Sequence, residues 1–387
     1  MKKEVDLKWI LSGALLTSVG MAFIWPLTSV YLHDDLHISL SIIGIVLFFN
    51  SFASIIGSIA AGFCFDRYDP YSLFLVGGIE AVATLTLLIF FHGWPFYPLA
   101  LFLLGIGNGW NKTLVNALGA TLHQYDGRFV FNMIYFANNL GMVIGTAIVG
   151  FIYSFSISLL FVIATILYFI YLLVTILTYA PSRNRTQDTT EKQATPKTKL
   201  TKDTRLIVNS FLLVLFFAWI MYNQWVSNLS VYMTGMGIPL SRYSLLWTVN
   251  GICIVVSQLL LVRLTEKIKN VMYQIYFGLV MLALSFVLLL FAKDYSYYVI
   301  AMVVLSLGET TAFPAIPLMI SQLTPNNQTG RYLGLANSFI SAGQALGPLI
   351  GGLIIDFGSY PVLFIVAIIT NLILAGGLAT IWKTKKI

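Results

Sequence analysis

Apolar runs, each long enough to cross a bilayer, constrain this 387-residue chain more than any other feature. They fall at roughly 7–32, 40–64, 72–91, 98–122, 129–153 and 157–179, and again at 206–233, 243–264, 271–291, 297–320, 331–356 and 361–382. Crossing the hydrocarbon takes about 20 residues of helix at about 1.5 Å each. No water is available there for backbone N–H and C=O groups, so such runs satisfy them internally as helices. The pattern predicts an all-α integral membrane protein with twelve transmembrane helices in two six-helix halves. The halves are residues 1–181 and 205–387, joined by a polar linker over 182–204 that is rich in Thr, Lys and Gln. Charged residues make up 10% of the chain, against about 25% in an ordinary soluble domain. The first run is longer than the apolar core of a signal peptide, so no cleavable leader is expected.

Lysine and arginine set the expected orientation. With the N-terminus inside, nineteen of them fall in inner segments, only Arg242 and Lys293 fall outside, and Lys112 is intramembrane. Both termini and the linker are therefore expected in the cytoplasm, in a multi-pass plasma membrane protein. The same asymmetry accounts for the +7 net charge, so no nucleic-acid partner is expected. Cys64 and Cys253 lie within or at the end of apolar runs and read as small hydrophobes. His33, His37, His92 and His123 have no partner at metal-ligand spacing, so no metal is expected. A glycine-rich nucleotide loop with lysine is absent too, which leaves the proton gradient, and no cofactor, as the energy source.

The chemistry converges on Leu305-Ser306-Leu307-Gly308-Glu309-Thr310-Thr311-Ala312-Phe313-Pro314. Glu309 lies roughly 18 Å from either end of its span, near the midplane. A charged side chain there costs about 2.5–3.5 kcal/mol on insertion scales, and such residues usually face a bundle interior or an aqueous cavity. One reading makes Glu309 a group that loads and unloads a proton. The other makes it a protonated carboxyl that clips two helices together.

Two further ionisable residues are intramembrane, Glu80 in span three and Lys112 in span four. Counted from the same membrane face they lie at about 12–15 Å, which predicts an ion pair that offsets the desolvation of both. That pair is either a structural clip or part of a substrate site in which Lys112 binds a carboxylate. Asparagines also collect in the spans, Asn250 among them, and Asn111, Asn138 and Asn228 are candidates for lining a polar cavity. Trp25-Pro26, Trp110, Tyr135, Phe136, Trp219, Tyr222 and Trp225 add aromatic faces, which hold organic cations at about 0.5–2 kcal/mol each or serve as ordinary core.

The halves resemble each other. Gly127-Arg128 enters span five, which carries Gly141-x-x-x-Gly145; Gly330-Arg331 enters span eleven, which carries Gly343-x-x-x-Gly347. Small-xxx-small spacing lets helix backbones approach closely in lipid. Its recurrence at matched positions predicts a parallel internal repeat, with the substrate site near the midplane between repeats.

Gly62-Phe63-Cys64-Phe65-Asp66-Arg67 closes span two. It resembles the G-x-x-x-D-[RK] start of the loop signature of the major facilitator superfamily, although Asp69-Pro70-Tyr71 stands where the rest of that signature would be. The second half keeps the charges without the glycine, as Val262-x-x-x-Glu266-Lys267. The resemblance implies that Gly62, Asp66 and Arg67 belong to a cytoplasmic gate. Within the superfamily, Leu307-Gly308-Glu309 followed by Pro314 is similar to the span-ten motif of LmrP-like drug/proton antiporters. This implies that Glu309 contacts both proton and drug. Departures from that group are Ile134 and the region of Val226, where it carries intramembrane acids.

Together these readings predict a proton-coupled antiporter that expels lipophilic cations by alternating access. Its partners would be a small-molecule substrate and the bilayer, and it would act as a monomer. Glu309, Lys112, Glu80, Asn111, Asn138, Tyr222 and Asn228 are the candidate substrate residues. The alternatives are proton-coupled uptake of a zwitterion, with Lys112 on its carboxylate and Glu309 on its amine, and lipid translocation. An enzyme is not expected, because no nucleophile–base pair or metal cluster is present.

Overall fold

A computed structural model describes residues 5–24, 28, 31–38, 40–122, 124–153, 156–180, 200–265, 270–325 and 327–385. All regular secondary structure among these residues is helical. The first group of elements is α1 (Leu7–Ala22), α2 (Leu40–Phe65), α3 (Pro70–Phe90), α4 (Phe96–Gly119), α5 (Gly127–Tyr153) and α6 (Ile157–Thr178). The second is α7 (Lys202–Val226), a short α8 (Asn228–Gly235), α9 (Leu240–Thr265), α10 (Val271–Leu290), α11 (Tyr295–Leu323), α12 (Thr329–Phe357) and α13 (Tyr360–Lys385). Apart from α8 these are the twelve long helices expected. Among the described residues, nine segments pass a length-and-hydropathy test for spanning, α7 and α8 counting together.

Polar residues at the helix starts satisfy first-turn N–H groups that have no intrahelical partner. The Asp69 carboxylate accepts from the Ser72 N–H at 3.1 Å, ahead of Pro70, whose missing N–H costs nothing at that position. Thr201 caps α7 through the Thr204 N–H at 3.1 Å, and Asn270 caps α10 through the Met272 N–H at 2.9 Å. The flanks are as apolar as the interior. Ile45, Phe48, Phe52, Ile56, Ile59 and Phe63 form an exposed stripe at three- and four-residue spacing along α2. Such a stripe on water would be an aggregation surface; on a spanning helix it is the face that lipid covers.

Two predicted spans carry interruptions within their length. The first was expected as one run over 7–32, but α1 stops at Ala22 and a separate five-residue π-helical turn forms at Tyr31–Asp35. Pro26, which has no N–H to donate, falls between them, and Trp25-Pro26 lies outside the described residues. The seventh run, 206–233, divides at Ser227 into α7 and α8. The Tyr243 hydroxyl of α9 lies 2.9 Å from both the Trp225 and Val226 carbonyl oxygens, taking up acceptors that a continuous helix would bond itself. His123, Glu266, Lys267 and the linker from 182 to 199 lie outside the described residues.

Two compact units are present. One comprises residues 1–198 with 324–341, the other 199–323 with 342–387, so α12 contributes to both. In the first unit α2 packs on α4, α1 on α5 and α6, and α3 on α4 and α6. The second unit repeats the scheme, with α9 on α11, α7 on α13, and α10 on α11 and α13. The matched glycine pairs complete the repeat. Gly141 and Gly145 of α5 lie against Leu15, Ser18, Val19 and Ala22 of α1; Gly343 and Gly347 of α12 lie against Phe216, Trp219, Ile220 and Asn223 of α7. Each pair lets one helix seat on the backbone of another, which apolar side chains alone do not favour in lipid.

Candidate functional site

α11 is enclosed along nearly its whole second half, with every residue from Gly308 to Ile320 buried. Glu309 stands at its centre and is 3% exposed. Pro314 and Pro317 lie inside the helix one and two turns later, and neither can donate to the carbonyl four residues back. The Glu309 Oε2 atom accepts two hydrogen bonds of 2.9 Å, from the Tyr222 hydroxyl of α7 and from the Asn250 amide of α9. The Asn250 amide also lies 2.9 Å from the Ser306 hydroxyl, one turn before Glu309. Ser306 in turn donates to the Met302 carbonyl at 2.8 Å. Donors from two other helices thus aim at one carboxyl oxygen. An acceptor held this way accommodates negative charge far better than hydrocarbon does.

Aromatic rings cluster around Tyr222, one of these two donors. Phe313, four residues on and therefore on the same helix face, is stacked with Trp219 at 4.7 Å between ring centres and 17° between planes. Tyr222 meets Trp219 edge-on at 5.0 Å and Phe313 at 5.5 Å, and Trp247 of α9 stands 6.4 Å from Tyr222. Of this constellation the sequence nominated Glu309, Tyr222 and Trp219. It counted Asn250 only among intramembrane asparagines and missed Ser306, Phe313 and Trp247. Phe313 was legible from its four-residue offset; Trp247 and Asn250 share a helix face three residues apart, but only tertiary packing aims that face at Glu309.

The other candidates separate. In the first unit, the expected Glu80–Lys112 ion pair is absent among the described residues, and that expectation is corrected. Glu80 Oε2 lies against the backbone of α4 at Gly107, where a Cβ would collide with it. Lys112 comes five residues later, about 140° around the helix at 3.6 residues per turn, and is exposed. α4 meets α3 through Gly107, Trp110 and Asn111, so the equal-depth argument placed the right helices together with the wrong register. Asn111 is 3% exposed, and its Oδ1 accepts from the Tyr171 hydroxyl of α6 at 3.2 Å. Asn138 of α5 accepts from the Ser18 hydroxyl of α1 at 3.1 Å, beside the Gly141 contact, so it bonds two helices together. Asn228, at the start of α8, donates to Gln224 Oε1 at 2.6 Å across the break in span seven.

Asp66 serves as a cap on another helix. Its Oδ1 and Oδ2 accept from the Gly330 and Arg331 N–H groups at 2.9 and 2.8 Å, at the start of α12 within the first unit. Gly62 makes room: a Cβ there would collide with the Gly330 carbonyl. Carboxylate charge also complements the positive N-terminal end of a helix dipole. Arg67 does not pair with Asp66. Its guanidinium lies 3.7 Å over the Phe63 ring. Farther along the same seam Asn337 donates to the Thr113 hydroxyl at 3.1 Å. In the matching place, α5 is capped by its own Asp126, which accepts from the Arg128 N–H at 2.8 Å. Asp66→Ala removes two charge-assisted bonds and is expected to cost about 1–2 kcal/mol, read as a lowered thermal midpoint of the purified protein. Asp66→Asn, which keeps an acceptor, should fall between the two.

The architecture is that of a two-unit helical membrane transporter. A sequence model of the Major Facilitator Superfamily matches residues 10–275 and 237–386. The chain belongs to that superfamily; it is a transporter and not an enzyme. It is 34% identical over 390 residues to the uncharacterized MFS-type transporter YttB of Bacillus subtilis (strain 168), covering 98% of both chains. Identity to the uncharacterized MFS-type transporter YqjV of the same organism is 23% over 403 residues, covering 97% of this chain and 94% of that one. Among solved structures, the human organic anion transporter MFSD10 (TETRAN) matches with a TM-score of 0.76 and 13% identity, over 96% of this chain and 98% of that one. A bacterial homologue of the iron transporter ferroportin matches with a TM-score of 0.76 and 13% identity, over 97% and 98%. These two structural likenesses concern the fold.

Proposed function

We propose that this transporter expels lipophilic cations in exchange for protons by alternating access across the plasma membrane, with both termini and the 182–204 linker in the cytoplasm. The observation that carries the reading is the setting of Glu309: a buried carboxyl with two donors on one oxygen, one of them Tyr222, whose ring packs among Trp219, Phe313 and Trp247. Ionised Glu309 and the aromatic faces suit a flat organic cation, each ring contributing about 0.5–2 kcal/mol. Protonation removes the charge and with it the main attraction, so one carboxyl binds either the proton or the cation. That exclusivity is what exchange requires. The similarity of Leu307-Gly308-Glu309 and Pro314 to the motif of LmrP-like antiporters agrees with it. Asp66 on the first turn of α12 is the contact that would open and reform in each cycle. The energy source is the proton gradient, without a cofactor, and the unit of function is a monomer.

The test is efflux of ethidium from energised cells expressing the protein, with and without a protonophore. Efflux above that of empty cells and abolished by the protonophore supports the proposal. Efflux indifferent to the protonophore would remove proton coupling from it.

A second reading, uptake of a zwitterion, is favoured by one observation: Lys112 is exposed and has no ionic partner among the described residues. Under cation exchange, Lys112→Ala is expected to change ethidium efflux less than twofold. Under carboxylate-dependent uptake the same variant abolishes transport, since the substrate carboxylate loses its charged partner.

A further inference from the structure

We infer that Glu80 is a second proton-binding group, enclosed within the first unit and separate from Glu309. The carboxyl lies in the seam between α3 and α4, which is built reciprocally. Glu80 of α3 rests on Gly107 of α4, and Asn111 of α4 rests on Gly77 of α3, where a Cβ would come within 2.6 Å of its Oδ1. Each of these polar side chains keeps one buried atom without a hydrogen-bond partner, Oε2 of Glu80 and Nδ2 of Asn111. The other Glu80 oxygen accepts a single bond, from the Thr84 hydroxyl at 3.2 Å. An ionised carboxylate here would hold a full charge on one neutral hydrogen bond, a poor exchange for hydration.

Among the described residues no cation relieves it. On α4 the neighbours are Gly107, Trp110, whose indole donates to the Leu73 carbonyl, and Asn111; Lys112 faces elsewhere. From α6 come the phenols of Tyr168, Tyr171 and Tyr179, neutral near pH 7. Tyr171 bonds Asn111, and Tyr179 packs edge-on against Phe74 of α3 at 4.9 Å. On α2 the titratable groups are Cys64, Asp66 and Arg67 at its far end, with Asp66 engaged by α12. Glu80 as a residue is half-buried, with its Oε2 atom sealed. A carboxyl with one sealed oxygen and no counter-charge among the described residues favours its neutral, proton-bound form. Contact of Oε2 with the α4 backbone leaves no room on that side for a hydrated metal ion, and Thr84 is the one further oxygen bonded to the carboxyl among the described residues.

The test uses no substrate, so it fails or succeeds independently of ethidium efflux. pH-difference infrared spectra of the purified full-length protein report the C=O stretch of a protonated carboxylic acid. Glu309→Gln is expected to leave one such component that titrates toward neutral pH, and Glu309→Gln with Glu80→Gln to remove it. Gly107→Ala, which presses a methyl group onto Oε2, is expected to move the pH at which that component titrates. Should Glu80→Gln fail to fold, Glu80→Asp serves instead, with a displaced component expected. Spectra of Glu80→Gln or Glu80→Asp that superimpose on wild type overturn the inference. So does a Glu80 component that responds to sodium at fixed pH.

Discussion

Glu309→Gln is expected to abolish the part of ethidium efflux that a protonophore inhibits, while leaving the helical bundle assembled. Glutamine is nearly isosteric and keeps an oxygen to accept from Tyr222 and Asn250, both 2.9 Å from Oε2 in the native protein. What it loses is charge. A hydrogen bond to a charged partner is worth about 1 kcal/mol more than its neutral counterpart, or roughly fivefold in affinity. The larger effect is on coupling, because an amide cannot be emptied of its proton at one membrane face and refilled at the other. Residual ethidium movement should then run only down its own gradient. Glu309→Asp, which keeps the charge but retracts it by one methylene, is expected to retain coupling with weaker binding. Gradient-driven efflux undiminished in Glu309→Gln would make that carboxyl a packing group and leave Glu80 as the proton-handling residue.

Gly109→Val is expected to give the largest loss of stability of any single change in the first unit. Gly105 and Gly109 of α4 rest on α2. A Cβ on Gly109 would collide with the Ser54 carbonyl, and one on Gly57 of α2 would collide with the Ile106 carbonyl. Backbone oxygens cannot rotate aside as side chains do, so the helices must separate along the closest seam of that unit. Overpacking ordinarily costs about 1–3 kcal/mol. Here the bond between the Ser58 hydroxyl and the Gly109 carbonyl, 3.2 Å long, would be lost as well. The measurement is the yield and thermal midpoint of detergent-purified protein, with Gly44→Val as the control. Gly44 has nothing within 4 Å of its would-be Cβ and should tolerate the change. Equal behaviour of the two variants would mean that α2 and α4 are not as closely seated as the structure has them.

The spans were legible because the bilayer imposes one rule on every segment: enough consecutive apolar residues, hydrogen-bonded within themselves. Interruptions inside a span were not legible. The break at Ser227 depends on a tyrosine from α9 reaching the carbonyls of α7, a partnership absent from either segment alone. The Glu80–Lys112 pair failed for a related reason. Depth along a helix can be counted from sequence, but rotation against a neighbour is set by which small residues face it, and Gly77 and Gly107 had not been weighed.

By itself, then, the sequence determined an all-helical membrane protein, its internal repeat, its superfamily signature and the midplane carboxyl at Glu309. Each of these follows from spacing along one dimension, and solvation by lipid makes such spacing decisive. Only the tertiary structure decided that Asn250 and Tyr222 meet on one oxygen of Glu309, that Asp66 caps α12, and that Lys112 stands apart from Glu80. Those are relations between helices distant in the chain. They rest on glycine seams that fix the rotation of one cylinder against the next, information that no single segment carries.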